Sequence, residues 1–248
     1  TRIRTIRLTA ASLHPSGPLL RAICSLGVSP FLNQMAMFLV QITLNNTLTY
    51  YGALSHYGED IPLACVGVIS KVNILMLGFT LGISQGCQPI FSYNYGARQY
   101  SRVREAYRKA IVAASVICCI AFVCFQLFPR PIVALFDPSG SEEYFQFAER
   151  YFRIYMFMTL ANAFQPITAN FFTSIGKAKR GALIALTRQV IFLIPLILIF
   201  PLFLGIDGVM YAGPIADSAA VVVALALVTR EMKRMPHVDE PVAADTPV

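Results

Sequence analysis

Charged residues are scarce in this sequence. They make up 13% of the 248 residues, whereas hydrophobic residues make up 56%. A soluble domain carries about 25% charged residues. Tryptophan is absent, and histidine occurs only three times. Because so few charges cannot cover a globular surface in water, the composition excludes an ordinary soluble protein and favours one that is embedded in a lipid bilayer.

The sequence also lacks the common signatures of a catalytic or metal centre. It contains no HExxH or GxSxG motif, and its histidines, His14, His56 and His237, lie at or outside the ends of apolar segments. The six cysteines fall in or beside these segments without metal-ligand spacing, so we interpret them as small packing residues. These absences argue against a membrane enzyme, and no cofactor is expected.

Six apolar segments are each long enough to cross a bilayer, which needs about 20 residues. We place them at 26–51, 62–90, 110–128, 151–173, 182–204 and 208–228. They predict an all-α, polytopic membrane protein whose six transmembrane helices form one lobe over 26–229. An amphipathic connector over 1–25 is expected on the cytoplasmic face, and a cytoplasmic tail over 230–248 is expected to be disordered.

Basic residues are distributed unevenly between the loops. With both termini in the cytoplasm, the inner segments hold most of them, including five between residues 98 and 109. The outer loops hold only Arg130, Arg150 and Arg153, among several acidic residues. This asymmetry follows the positive-inside rule. The net charge of +7 therefore reflects orientation rather than nucleic-acid binding, and a multi-pass protein of a plasma (inner) membrane, with the short loops typical of bacteria, is expected.

Several motifs occur in a specific order along the chain. They are Gly82-x-x-Gln85-Gly86-x-Gln88-Pro89, Asn94-Tyr95-Gly96-Ala97, Gly176-Lys177, Arg188-Gln189 with Pro195, and Gly205-Ile206-Asp207-Gly208-Val209 leading into Gly213-Pro214-Ile215-Ala216-Asp217. In this order and spacing, the chain resembles the second lobe of transporters of the multidrug and toxic compound extrusion (MATE) family.

The resemblance implies one lobe of a twelve-helix transporter. The expected function is the C-terminal half of a secondary active antiporter, which exports drugs or other organic, often cationic, compounds in exchange for protons or sodium. Its expected partners are small-molecule substrates, the lipid bilayer, and either a missing N-terminal lobe or a second copy of this chain. The alternatives are a flippase-like carrier of lipid-linked sugars from the same superfamily and an inactive, truncated transporter.

One feature departs from the sodium-coupled branch of the family. That branch has acidic residues in the first and fourth helices of its second lobe, whereas here the first segment has none and the fourth has only Glu149 at its outer end. The site for a proton or sodium is therefore expected to lie in the missing N-terminal lobe.

Uncharged amide side chains, with one aromatic ring among them, follow one face of two helices. They are Gln34, Phe38, Gln41 and Asn45 in the first segment, and Asn162 and Gln165 in the fourth. The four positions in the first segment fall within about 60° of one another around a helix. Amides around an aromatic ring suit a substrate cavity for varied amphipathic molecules, and the alternative is hydrogen bonding between helices.

Two ionisable side chains are expected near the bilayer midplane. Lys71 and Asp217 each lie nine residues past the outer start of their segments, which places them about 14 Å deep. Equal depth predicts an ion pair between them, which is either structural or opened by a proton or substrate. Arg188 lies two turns from the cytoplasmic end of its segment, so its side chain is expected to extend towards the interface.

Three glycines recur at every fourth position of the second segment. Gly78, Gly82 and Gly86 therefore share one helix face. Because small residues let membrane helices approach closely, this face is predicted to be a packing seam, either static or sliding during transport.

Overall fold

The computed structural model describes residues 17–138 and 140–236, and all regular secondary structure in these residues is helical. The helices are α1 (Gly17–Ala53), α2 (Asp60–Gly96), α3 (Tyr100–Leu127), α4 (Pro129–Ala134), α5 (Glu142–Tyr155), α6 (Ala161–Ser174), α7 (Ala178–Leu186), α8 (Ile194–Leu204) and α9 (Ile206–Arg234). A π-helical segment, Thr187–Leu193, joins α7 to α8 without a break.

The prediction of an all-α membrane protein is confirmed. Four helical stretches of the described residues are long and apolar enough to cross a membrane: Asp60–Gly96, Tyr100–Leu127, Ala178–Leu204 and Ile206–Arg234. Helix α1 and the α5–α6 pair occupy the positions of the other two predicted passes, but neither is among these four stretches.

Both predicted boundaries of the lobe differ from the structure. Helix α1 begins at Gly17, nine residues before the predicted start, because Pro18 occupies its first turn, where a missing N–H costs nothing. Helix α9 continues to Arg234, so 230–234 are helical. The remainder of the predicted connector and tail, 1–16 and 237–248, lies outside the described residues.

The fourth predicted pass is not one continuous helix. Helix α5 ends at Tyr155, a 3-10 turn follows over Met156–Met158, and α6 starts at Ala161. The Thr159 hydroxyl donates to the Met156 carbonyl at 2.6 Å, which offers that carbonyl a partner other than a helical N–H.

The helices alternate in direction, so that chain ends and turns gather at two ends of the bundle. At the basic end, defined by the turns at 97–99 and 175–177 and the end of α9, Arg104 donates to the carbonyls of Met235 and Pro236, both at 2.9 Å. At the opposite end, Arg150 of α5 pairs with Asp207 of α9 at 2.8 Å. These contacts close the bundle at both ends.

Buried polar contacts join α2, α3 and α6 inside the lobe. Ser84 is fully buried, accepts from Asn170 at 2.8 Å and donates to the Pro166 carbonyl at 3.2 Å. The hydroxyls of Tyr107 and Thr168 lie 2.8 Å apart. In an apolar interior these side chains would otherwise remain unsatisfied, so each contact fixes which faces of the three helices meet.

The predicted glycine seam faces away from the rest of the lobe. Gly78, Gly82 and Gly86 are exposed, and a Cβ atom added at any of them would meet no atom within 4 Å. The seam therefore does not pack the described helices of this lobe against one another, because α2 directs its larger apolar residues, such as Val72 and Met76, into the core instead.

A buried carboxylate closes the basic end, and its loss is a testable prediction. Glu231 is 1% exposed and accepts hydrogen bonds from both Lys177 and Arg180. Substitution Glu231→Gln should lower the free energy of unfolding by about 2 kcal/mol, because two charge-assisted bonds become neutral ones. The measurement is circular dichroism during titration of micelles with sodium dodecyl sulfate.

The matched control for this prediction is Glu105→Gln. Glu105 pairs with Lys109 at 2.7 Å, but both side chains are largely exposed. We expect almost no change in unfolding there, since solvent screens the pair. Equal effects of the two substitutions would contradict a special role for the buried Glu231 carboxylate.

Candidate functional site

A buried ion pair occupies the middle of the lobe. The Nε atom of Arg188 donates to Oδ1 of Asp217 at 2.5 Å, and the two side chains are only 14% and 11% exposed. Arg188 lies about 15 Å along the helix axis from the start of α7, and Asp217 about 16 Å from the start of α9. Both groups are therefore far from either end of the bundle.

This pairing corrects two predictions. Asp217 pairs with Arg188 and not with Lys71, and Arg188 turns inward rather than extending to the interface. Lys71 lies on the exposed face of α2, and none of the ion pairs within 17–138 and 140–236 includes it. The depth of Lys71 matches that of Asp217, but α2 is rotated so that Lys71 points away from the core.

The π-helical segment places Arg188 on the inner side of its helix. Pro195, just beyond the segment, has no N–H with which to bond the carbonyl of Ile191. A π-helical turn accommodates this interruption with one extra residue, which changes the direction of the side chains in the preceding turn. The adjacent Gln189 is also buried, at 8% exposed. The Arg188-Gln189…Pro195 motif thus has a structural reason.

A cavity of about 150 Å³ lies beside this ion pair. It is lined by residues of α1, α2, α5, the π-helical segment, α8 and α9, and it opens beside the exposed Gln41 and Ile74. Most of its wall is aliphatic, while its polar groups come from Gln41, Ser70, Asn73, Tyr151, Tyr155, Arg188 and Gln189. Arg188 lines the cavity, but its counter-ion Asp217 does not.

Two stacked tyrosines form one wall of the cavity. The rings of Tyr151 and Tyr155 are 5.6 Å apart and inclined by 16°. Gly213 of α9 makes room for the Tyr155 ring, since a Cβ atom there would lie 2.6 Å from Cε2 of Tyr155. Tyr151 is fully buried, and its hydroxyl has no hydrogen-bond partner among the described residues. The wall of the cavity therefore contains a buried polar group that no described residue satisfies.

Four of the predicted substrate-cavity residues share the exposed face of α1, namely Gln34, Phe38, Gln41 and Asn45. Gln41 also lines the cavity, and it donates to Asn45 at 2.9 Å. Gln165 is half-buried and donates to the Ile184 carbonyl at 3.4 Å. Asn162 lies on α6, but its side chain is outside the described part of the chain.

Sequence reasoning missed the aromatic wall of this site. Phe147, Tyr151 and Tyr155 follow one another at intervals of four residues, and in the structure each ring stacks on the next. That spacing was the available signal. It begins at Phe147, before residue 151, where the predicted fourth pass starts.

Sequence comparison relates the chain to one family of proteins. The family model MatE matches residues 34–199. The multidrug export protein MepA of Staphylococcus aureus (strain bovine RF122 / ET3-1) is 23% identical over 216 residues, which cover 86% of this chain and 45% of that protein. MepA of Staphylococcus haemolyticus (strain JCSC1435) is 22% identical over 226 residues, which cover 90% of this chain and 47% of that protein. The chain spans about half the length of the curated relatives that it matches.

Solved structures show the same fold. An outward-facing multidrug resistance MATE family transporter of the MOP superfamily has a TM-score of 0.79 and 20% identity, and the match covers 93% of this chain and 50% of that one. The inward-facing conformation of such a transporter has a TM-score of 0.80 and 20% identity, and the match covers 92% of this chain and 51% of that one. A MOP superfamily transporter from Pyrococcus furiosus has a TM-score of 0.79 and 20% identity, and the match covers 93% of this chain and 50% of that one.

Proposed function

Because this chain belongs to the MatE family, we propose that it forms one half of a secondary transporter that exports drugs or other organic, often cationic, compounds in exchange for protons or sodium. The match of the family model to residues 34–199 is the observation that carries the proposal. The curated relatives are named multidrug export proteins, and the chain is a helical membrane protein. The role is transport rather than catalysis, in a plasma membrane with both termini in the cytoplasm.

The proposed partner is a second six-helix lobe, either from sequence before Thr1 or from a second copy of this chain. Its contact surface would be the exposed face of α2 that contains Gly78, Gly82 and Gly86, where no described atom fills the space above the glycines. Phe79, which is 63% exposed, flanks this face. Small residues beside large apolar ones allow a neighbouring helix to approach closely and gain packing contacts.

The proposed substrate compartment lies between the two lobes. Gln34, Phe38 and Asn45 point away from the core of this lobe, so they are available to a compartment shared with a partner. Phe38 is 61% exposed, which leaves its ring free to contact an apolar or aromatic substrate. Neutral amides provide hydrogen bonds without the desolvation cost of a charge, which suits the passage of varied molecules.

The proposed coupling ion is a proton or sodium. Its site would lie at least partly in the partner lobe. Within the described part of this lobe, the carboxylate of Asp217 is already engaged by Arg188. A proton that reached Asp217 would remove one charge of the pair and so weaken it. The pair thereby supplies a physical route by which ion binding changes the packing of α9 against the π-helical segment.

Export can be tested with ethidium in bacteria that lack their own major exporters. Cells that express the complete natural reading frame containing this chain should retain severalfold less ethidium than cells with an empty vector. If protons drive export, addition of a protonophore should abolish this difference. If sodium drives export, replacement of sodium by potassium should abolish it. Absence of efflux from a membrane-inserted, folded protein would contradict the proposal.

A substitution on α2 tests the partner surface in the same cells. Gly82→Leu should reduce ethidium efflux several-fold, because the added side chain separates the lobes. Val123→Leu is the matched control, since Val123 is 51% exposed on α3 and away from the glycine face. With equal expression of both variants, unchanged efflux in Gly82→Leu would argue against a lobe contact there.

A further inference from the structure

We propose that the cavity beside Arg188 binds the carboxylate of a small compound that has an apolar or aromatic body. As a statement about substrates this rests on the proposed transport function, whereas binding itself can be measured separately. The cavity is lined by residues of α1, α2, α5, α8, α9 and the π-helical segment, and it extends from the exposed Gln41 of α1 inward to Arg188. Its ligand class follows from the donors, the walls and the charge that it presents.

The guanidinium of Arg188 supplies the charged donor. Its hydrogen bond to Asp217 uses Nε only, and Arg188 lines the cavity while Asp217 does not. A guanidinium carries five N–H donors in a planar fork. The N–H groups that do not face Asp217 match the two oxygens of a carboxylate, with which arginine forms paired, charge-assisted hydrogen bonds.

The hydroxyl of Tyr151 supplies a second, uncharged donor. The Tyr151 side chain lines the same cavity, and its hydroxyl is buried without a hydrogen-bond partner among the described residues. Buried hydroxyl groups in native proteins are nearly always hydrogen-bonded. An oxygen atom in the cavity would satisfy it, and a carboxylate held by Arg188 places such an atom in the same cavity. The buried amide of Gln189 adds a further polar group to the lining.

The remaining wall fits an apolar body. Leu44, Leu77 and Ile197 contribute aliphatic surface, and the cavity volume is about 150 Å³. A cavity of about this size holds a benzene ring. A cationic group is disfavoured because Arg188, and not its counter-ion, faces the space. These features together favour an aromatic or aliphatic monocarboxylate over an organic cation.

The test measures binding of benzoate to the purified full chain in lipid nanodiscs. Equilibrium dialysis with radiolabelled benzoate, corrected with empty nanodiscs, should show one saturable site per chain. Benzamide and benzylammonium, which have the same ring with a neutral and a cationic group, serve as competitors. Benzoate should compete at least about tenfold better than benzylammonium, which corresponds to the energy of one good charge-assisted hydrogen bond.

Two tyrosine variants locate the site. Tyr151→Phe should weaken benzoate binding about tenfold by removing one donor without disturbing a hydrogen bond of the fold. Tyr144→Phe is the matched control, because the Tyr144 hydroxyl is also buried without a partner but does not line this cavity. In protein that remains folded, Asp217→Asn should strengthen binding, since it removes the negative charge beside the guanidinium of Arg188.

The outcomes separate this proposal from the proposed function. Absence of saturable benzoate binding, stronger binding of benzylammonium, or equal effects of Tyr151→Phe and Tyr144→Phe would each overturn it. If one of these results is found and ethidium efflux is nevertheless present, the proposed transport function stands and only the proposed carboxylate site fails. Benzoate binding with the expected variant pattern but without any efflux would support the site and contradict transport.

Discussion

Substitution of Asp217 by alanine is expected to destabilise the folded lobe by about 3–5 kcal/mol, since it leaves the guanidinium of Arg188 buried without its counter-ion. Arg188 is only 14% exposed and lies far from both ends of its helix. The loss should appear in circular dichroism as unfolding at a much lower mole fraction of sodium dodecyl sulfate.

Two further variants identify the cause of that loss. The double variant Arg188→Met with Asp217→Leu should recover most of the stability, because it removes both charges and keeps apolar volume. Asp207→Ala removes a carboxylate from the same helix, but its pair with Arg150 is about half exposed. We expect Asp207→Ala to cost about 0–1 kcal/mol. If the double variant were as unstable as Asp217→Ala, an uncompensated charge would not be the cause.

Gly208→Ala is expected to lower the free energy of unfolding by about 2–3 kcal/mol. A Cβ atom at Gly208 would lie 2.5 Å from the carbonyl carbon of Phe200 and 2.6 Å from its oxygen. These are backbone atoms, so they can move only if α8 and α9 separate. The turn between them is already constrained by Gly205, which has a positive φ of 60°. The Gly205–Val209 motif thus forms the turn into α9 and the close crossing of its first turn with α8.

Gly82→Ala is the matched control for this substitution. Gly82 also lies in a helix, but a Cβ atom there would meet nothing within 4 Å. The isolated lobe should therefore keep its stability or gain up to about 1 kcal/mol, because alanine favours helix more than glycine does. A similar loss in both variants would show that helix propensity, and not the close approach of α8 and α9, determines the effect.

Helix content could be predicted because membrane helices are determined locally. A segment that crosses lipid must satisfy its own backbone hydrogen bonds, so a long apolar run has few alternatives to a helix. The interruptions were harder to predict. The break after Tyr155 involves the Thr159 hydroxyl, and the π-helical turn precedes Pro195. Proline and threonine are common in membrane helices that continue unbroken, so their presence alone does not locate a break.

The candidate site could be predicted only in part. Counting residues along a helix predicted that Asp217 lies far from both helix ends, and the structure places it in a buried ion pair inside the lobe. The same counting assigned the wrong partner, because Lys71 and Arg188 both lie far from the helix ends. Depth depends on one coordinate along the axis, whereas pairing also requires the two helices to turn the right faces towards each other.

The amino-acid sequence by itself determined that this protein is a helical membrane protein with six apolar segments and the motifs of its family. These properties depend on composition, on the length of each segment and on residues near one another along the chain. Only the tertiary structure decided that Arg188 pairs with Asp217, that Tyr151 faces a cavity, and that the glycine face of α2 points outward. The rotation and crossing of each helix are set by the packing of all its neighbours at once, and no single segment contains that information.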